Sequence, residues 1–291
     1  MFLLDNLAEL IMYKAVMLEF AYDAERAKTG RGKYSVRKKR DVKEHFNPKV
    51  NFLVNELKRL SESDGNVFRV GHHLRNEAYH NGILRERIMV AVSQTYFQTL
   101  CTIFPSLWLG SYRYSLEGEV REFLNRYGID DGSVDKNVLG KICLKILEGR
   151  ECKEFEVAEA LSDDLVVRLQ ETLEQLEYLA SAPNAKSPAE MLAWMQFREE
   201  GGVEDRIINS DEEFRLFWKT VEAKFAEFRP KVTLDTLKIW IKKAEAIKHE
   251  KERGIILQNF WEIDNQFLKI ENLVSEAVFE YEKYIDSQIH H

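Results

Sequence analysis

The stretch MFLLDNLAELIMYKAVMLEFAYDAERAK, residues 1–28, sets the expected fold class. Apolar side chains at Leu3, Leu7, Leu10, Ile11, Met17, Leu18, Ala21 and Tyr22 recur at helical spacing, with Lys14 as the polar intruder. The segment has no basic start and no small-residue cleavage site, and Asp5 and Glu9 interrupt it. It therefore reads as an amphipathic helix and not as a secretory leader.

The same period carries the rest of the chain. Helices are expected at 46–61, with Pro48 in the first turn, at 67–79, 83–104 and 114–128, and up to about Glu148. Further helices are expected at 153–161, at 163–181 after a start at Ser162, across 187–202, from Asn209 or Ser210 to Pro230, at 233–254, and from about Ile255 to Ser287. Almost nothing alternates with period two, and 5 prolines and 14 glycines give few breaks in 291 residues. The expected fold is an all-α bundle. SAPNAKSP, residues 181–188, is the best linker. It divides a first helical domain, 1–181 with a core at about 1–130, from a second, C-terminal helical domain, 182–291.

Net charge is −7, but unevenly spread. Residues 1–150 carry 24 Lys and Arg against 19 Asp and Glu; residues 151–291 carry 18 against 30. A basic first half suits a polyanion such as nucleic acid. KTGRGKYSVRKKRDVK, residues 28–43, concentrates that charge and reads as a basic loop. Arg31, Lys33, Arg37, Lys38, Lys39 and Arg40 would hold phosphates, and Tyr34 among them would stack on a base. Three cysteines without a CxxC pair make a poor disulfide framework and point to a reducing cytosol, hence a cytoplasmic protein. No apolar run approaches the roughly 18 residues a membrane helix needs, so no membrane partner is expected.

GHHLRNEAYHNG, residues 71–82, holds three of the seven histidines. On a helix His72, Asn76 and His80 share one face, and Arg75 and Tyr79 pair on the next. Arg75 and His80 lie five apart, about 140° around a straight helix. They act on one atom only if the helix end opens before Gly82 or a second copy supplies the partner. Histidine moves protons near neutral pH, and arginine offers a permanent planar charge to phosphate oxygens. Together they suit cleavage of RNA by its own 2′-hydroxyl, which needs no metal. In the bland reading Arg75 pairs with Glu77 or Glu86 and His80 merely packs.

RNEAYH, Arg75 to His80, resembles the Arg-Asn-x-x-x-His signature of HEPN domains, within their broader Arg-x(4–6)-His motif. The resemblance covers about residues 1–130 in architecture and six residues in motif. It implies a HEPN-like bundle and a metal-independent endoribonuclease, often a toxin of a toxin–antitoxin pair or an antiviral defence effector. It also implies a homodimer whose two motifs face one cleft. Carried onto this sequence, His80 becomes the general acid or base, Arg75 the phosphate clamp and Asn76 its orienting partner, with His72 and Tyr79 auxiliary.

No cofactor or metal is expected. His72 and His73 point to different faces, and no Cys or Asp joins them at a recurrent ligand spacing. KTGRGK lacks the spacing of a phosphate loop. The C-terminal aromatics, Trp194, Phe197, Phe214, Phe217, Trp218, Phe225, Phe228, Trp240, Phe260, Trp261 and Phe267, recur at helical spacing and read as core. The competing class is a non-catalytic helical module that binds RNA or protein.

Overall fold

The computed structural model describes residues 1–82, 84–107, 112–113, 118–128, 133–134, 136–149, 153–182, 185–203 and 210–289. Ile83, Cys152, Asn209, the middle of the expected linker and the terminal His290–His291 pair lie outside them. The all-α expectation holds. Among the described residues the one strand pairing is two residues long, β1 (Tyr112–Arg113) antiparallel to β2 (Ser133–Val134). None of the described helices is long and apolar enough to cross a membrane.

The chain forms two compact units, Met1–Ala160 with Glu250–Gln258, and Leu161–His249 with Asn259–His291. The first holds α1 (Phe2–Ala27), α2 (Val36–Glu44), α3 (Phe46–Asn51), α4 (Glu62–Asn76), α5 (Glu86–Leu107), α6 (Glu119–Arg126) and α7 (Lys136–Leu147). α5 packs against α1, α4 and α7. Met12, Val16 and Phe20 of α1, Val67, Phe68 and Leu74 of α4, and Ile88, Val92 and Tyr96 of α5 close the core. Ser61 opens α4 with a reciprocal capping box to Asp64.

The helical period expected of α1 is right and its phase is not. The buried side is Asp5, Ala8, Ile11, Met12, Ala15, Val16, Phe20 and Asp23. Leu3 is 84% exposed, and Leu7, Leu10 and Tyr22 are also exposed. Both sides of α1 carry apolar residues, so apolar count alone does not choose between them. The buried side is the one whose two carboxylates find partners, because an unpaired buried charge costs more than an exposed leucine.

Asp23 also corrects the expected basic loop. Its carboxylate accepts the backbone N–H of Lys33 at 2.7 Å and of Tyr34 at 3.4 Å, and pairs with Lys39 Nζ at 2.8 Å. Ser35 then caps α2 by accepting from Lys38 N at 3.2 Å. The second half of the run is thus helix, not loop. The Lys39 ammonium, followed by the Lys33 N–H, holds the Asp23 carboxyl well below the usual carboxylate range, although burial works the other way. A folded-state value below the unfolded one gives stability present above the unfolded pKa and lost as pH falls beneath it. Asp23→Asn is therefore expected to lower the urea midpoint at pH 7. It should also flatten the loss of stability that the parent shows below about pH 4; parallel pH profiles of the two proteins would contradict this.

The second unit holds the later part of α8 (Glu154–Ala180), with α9 (Pro188–Glu199), α10 (Asp211–Glu227), α11 (Leu234–Ile247) and most of α12 (Arg253–Ile289). Ser187, Ser210 and Thr233 cap α9, α10 and α11. Ser162 does not start a helix: α8 runs through it, and its buried hydroxyl donates to the Ala244 carbonyl at 2.7 Å. The acids beside it serve partners instead of a helix end, Asp163 with Lys248 at 2.5 Å and Asp164 with Arg168 at 3.2 Å. Phe197, Trp240, Phe260 and Phe267 are core as expected, whereas Phe214 stays half exposed.

In this unit Arg168 gathers three carboxylates. Nη1 donates to Asp264 at 2.6 Å and to Asp164 at 3.2 Å, and Nε donates to Glu271 at 2.8 Å while Nη2 holds the second Glu271 oxygen. Burial opposes the charge on Arg168, but the Glu271 hydrogen bonds and the three anions hold its pKa above the ordinary value.

Candidate functional site

The last turn of α4 meets α1 at Asp5, and the meeting organises the motif. Asp5 is fully buried. Its Oδ2 lies 2.9 Å from His72 Nδ1, and its Oδ1 accepts the Tyr96 hydroxyl at 2.9 Å. Burial first, then the Asp5 charge, push the Tyr96 phenol well above its ordinary range, so it stays protonated and donates. Arg75 Nε stands 3.9 Å from the same Oδ2 and is buried without a hydrogen-bond partner. Arg75 Nη1 donates to Asn76 Oδ1 at 2.8 Å, and the guanidinium lies over the Tyr79 ring, 5.4 Å from its centre. The His72 ring stacks flat on Phe46, 3.7 Å between centres and 3° between planes. His72 and Arg75 keep 20% and 24% of their side chains exposed.

Gly71 makes this possible. A Cβ there would stand 2.3 Å from Cδ2 of Tyr96 and 2.5 Å from its Cε2. The missing side chain lets the phenol ring lie against the α4 backbone and its hydroxyl reach Asp5.

Beyond Asn76 the chain continues as a π turn, Glu77–Asn81, closed by Gly82 in the left-handed conformation at φ 67°. A hydrogen-bonded repeat of five residues turns less per residue than an α-helix, so it carries His80 back toward the side of Arg75. Tyr79 and His80 are both exposed, and the His80 ring meets Tyr79 edge to face at 5.0 Å. Among the described contacts His80 touches Tyr79 and not Arg75. Tyr79 also meets Phe2 of α1 at 6.5 Å. Glu77 accepts from Arg85 at 2.7 Å, so one of the two acids expected to pair with Arg75 is engaged elsewhere.

The basic residues divide in two. Arg31, Arg37 and Arg40 are exposed. Lys38 pairs with Glu56 at 2.6 Å, Lys33 lies 3.5 Å from the same carboxylate, and Lys39 is held by Asp23. Tyr34 is corrected: only 9% exposed, its ring packs on Phe20 and Phe52 under the Lys33 and Lys38 ammoniums. No face of it remains for a base.

Sequence reasoning missed Asp5, Phe46 and Tyr96. The available signal was an acid at helical spacing from Ala8, Met12 and Ala15, which has to be either partnered or exposed. No family model, no curated protein and no solved structure matches this chain.

Proposed function

We propose that the first unit is a metal-independent endoribonuclease of HEPN type, cutting RNA by attack of a 2′-hydroxyl on the adjacent phosphate. The observation that carries this reading is Arg75. It is a part-exposed guanidinium fixed by Asn76, with no carboxylate in hydrogen-bond contact and an imidazole near it along the helix on either side. Arg75 would clamp the phosphate, Asn76 would orient Arg75, and His80 would transfer a proton. Arg31, Arg37 and Arg40 would gather the RNA backbone. The exposed strip Leu3, Leu7 and Leu10 on α1 lies on the helix that also brings Phe2 to Tyr79. That supports a second copy docking beside the motif, and an antitoxin or other defence-system partner would compete for the same strip.

The test is cleavage of RNA in the presence of a chelator. The parent is expected to cut, leaving a 2′,3′-cyclic phosphate, and Arg75→Ala and His80→Ala to lose about 100-fold or more. Equal rates for all three would sink the reading. The exposed arginines favour one alternative, a helical module that binds RNA without cutting; it would show salt-sensitive RNA binding and no cleavage by any of the three.

A further inference from the structure

We propose that Asp5 and His72 form a carboxylate–imidazole dyad that supplies this site with its base. His72 takes the 2′-hydroxyl proton at Nε2, and Asp5 is the positioning residue that holds the ring. The dyad presupposes the ribonuclease reading above and deepens it, because the spacing of Arg75 and His80 leaves the base unassigned.

An ionised carboxylate only accepts hydrogen bonds, so in the neutral ring the proton sits on Nδ1, 2.9 Å from Asp5. The lone pair is then on Nε2, at the opposite edge of a ring that keeps 20% of its side chain exposed. Two further contacts fix this geometry. Phe46 stacked at 3.7 Å sets the ring plane, and Tyr96 holds the other oxygen of Asp5. Asp5 is buried, so it meets neither water nor substrate and acts only through what it holds. The carboxylate also faces the positive charge the ring acquires when it takes a proton.

His72 and Arg75 are three residues apart, hence on one helix face, and both approach Oδ2 of Asp5. Base and phosphate clamp thus share one buried anchor. His80 stands beyond Tyr79. In the reaction the O2′–H bond breaks and its proton goes to His72. The O2′–P bond forms while Arg75 holds the charge building on the phosphate oxygens. The P–O5′ bond then breaks with its electron pair on O5′, which takes a proton from the protonated ring of His80. The products are a 2′,3′-cyclic phosphate and a 5′-hydroxyl, and no water is consumed.

Two substrates separate base from acid: an RNA oligonucleotide, and uridine 3′-(4-nitrophenyl phosphate), whose leaving group needs little protonation. His72→Ala is expected to lose about 100-fold or more in kcat/KM on both. The loss in His80→Ala is expected to shrink sharply on the nitrophenyl ester. Asp5→Asn should lower kcat on both substrates while leaving KM near the parent's, a split that a general loss of structure would not give. Circular dichroism and melting confirm folding, and if Asp5→Asn does not fold, His72→Ala decides alone. Near-parental rates for His72→Ala, with Arg75→Ala inactive, would overturn the dyad and leave the ribonuclease reading standing. A parent that cuts neither substrate would overturn both.

Discussion

Replacing Arg168 by methionine is expected to destabilise the second unit by about 3–5 kcal/mol at neutral pH, the usual cost of stripping one partner from a buried ion cluster. The methionine nearly fills the volume, so the loss is electrostatic. Asp164, Asp264 and Glu271 lose the cation that Nε, Nη1 and Nη2 hold between them. Asp264 is fully buried, and the Arg168 side chain is only 11% exposed, so water screens the cluster poorly. The pH dependence has a definite sign. Carboxylates deprived of their cation and facing like charges bind protons more tightly in the folded state than in the unfolded one. Stability of the variant is then greater below the unfolded carboxylate pKa and falls as pH rises through the raised folded value. Urea unfolding at pH 5 and pH 8 checks this: the deficit should be smaller at pH 5. A deficit under about 1 kcal/mol at both would show that the cluster is no more than a surface-like pairing.

The second large effect is expected at Gly71→Ala, at about 3 kcal/mol. Overpacking costs about 1–3 kcal/mol, and removing a donor from a buried acceptor about as much again. The new Cβ drives into the Tyr96 ring, which is fully buried against Phe68, and pulls the hydroxyl off Asp5. A double-mutant cycle with Tyr96→Leu isolates the clash. Leucine strips the donor by itself but makes room for the Cβ, so the two losses should be strongly non-additive. Additive losses would mean that α4 simply shifts and the ring stays where it is.

The fold class was legible from period alone, because a 3.6-residue repeat needs no partner to be recognised. Phase was not. Leu3, Leu7 and Leu10 look as fit for a core as Met12 and Val16, and only the partners of Asp5 and Asp23 decide which side goes in. The basic run looked like a loop because charge and two glycines dominate it. Ser35 three residues before Lys38 was the overlooked cap. The Arg75–Tyr79 pair was legible, since a spacing of four on one helix sets it; the hydrogen bond from Arg75 to Asn76 was not, since helical spacing puts neighbours on different faces. The π turn was not, because nothing in NEAYHN announces a five-residue repeat; only Gly82 marks where it closes. The Arg168 cluster joins α8 to α12 across about a hundred residues, beyond any local pattern.

Asp5 has a bearing on when the site comes into being. His72 reaches it across 67 residues of sequence and Tyr96 across 91. Loop-closure entropy makes such contacts late ones, earned only after nearer contacts have formed. A nascent or partly folded chain can therefore hold the whole Arg75–His80 segment, already helical, and still lack the anchor beneath it. The motif is local, but the site is assembled only when the first helix docks on the fourth and fifth. On the proposed mechanism, an intermediate in which that docking has not happened would not cut RNA.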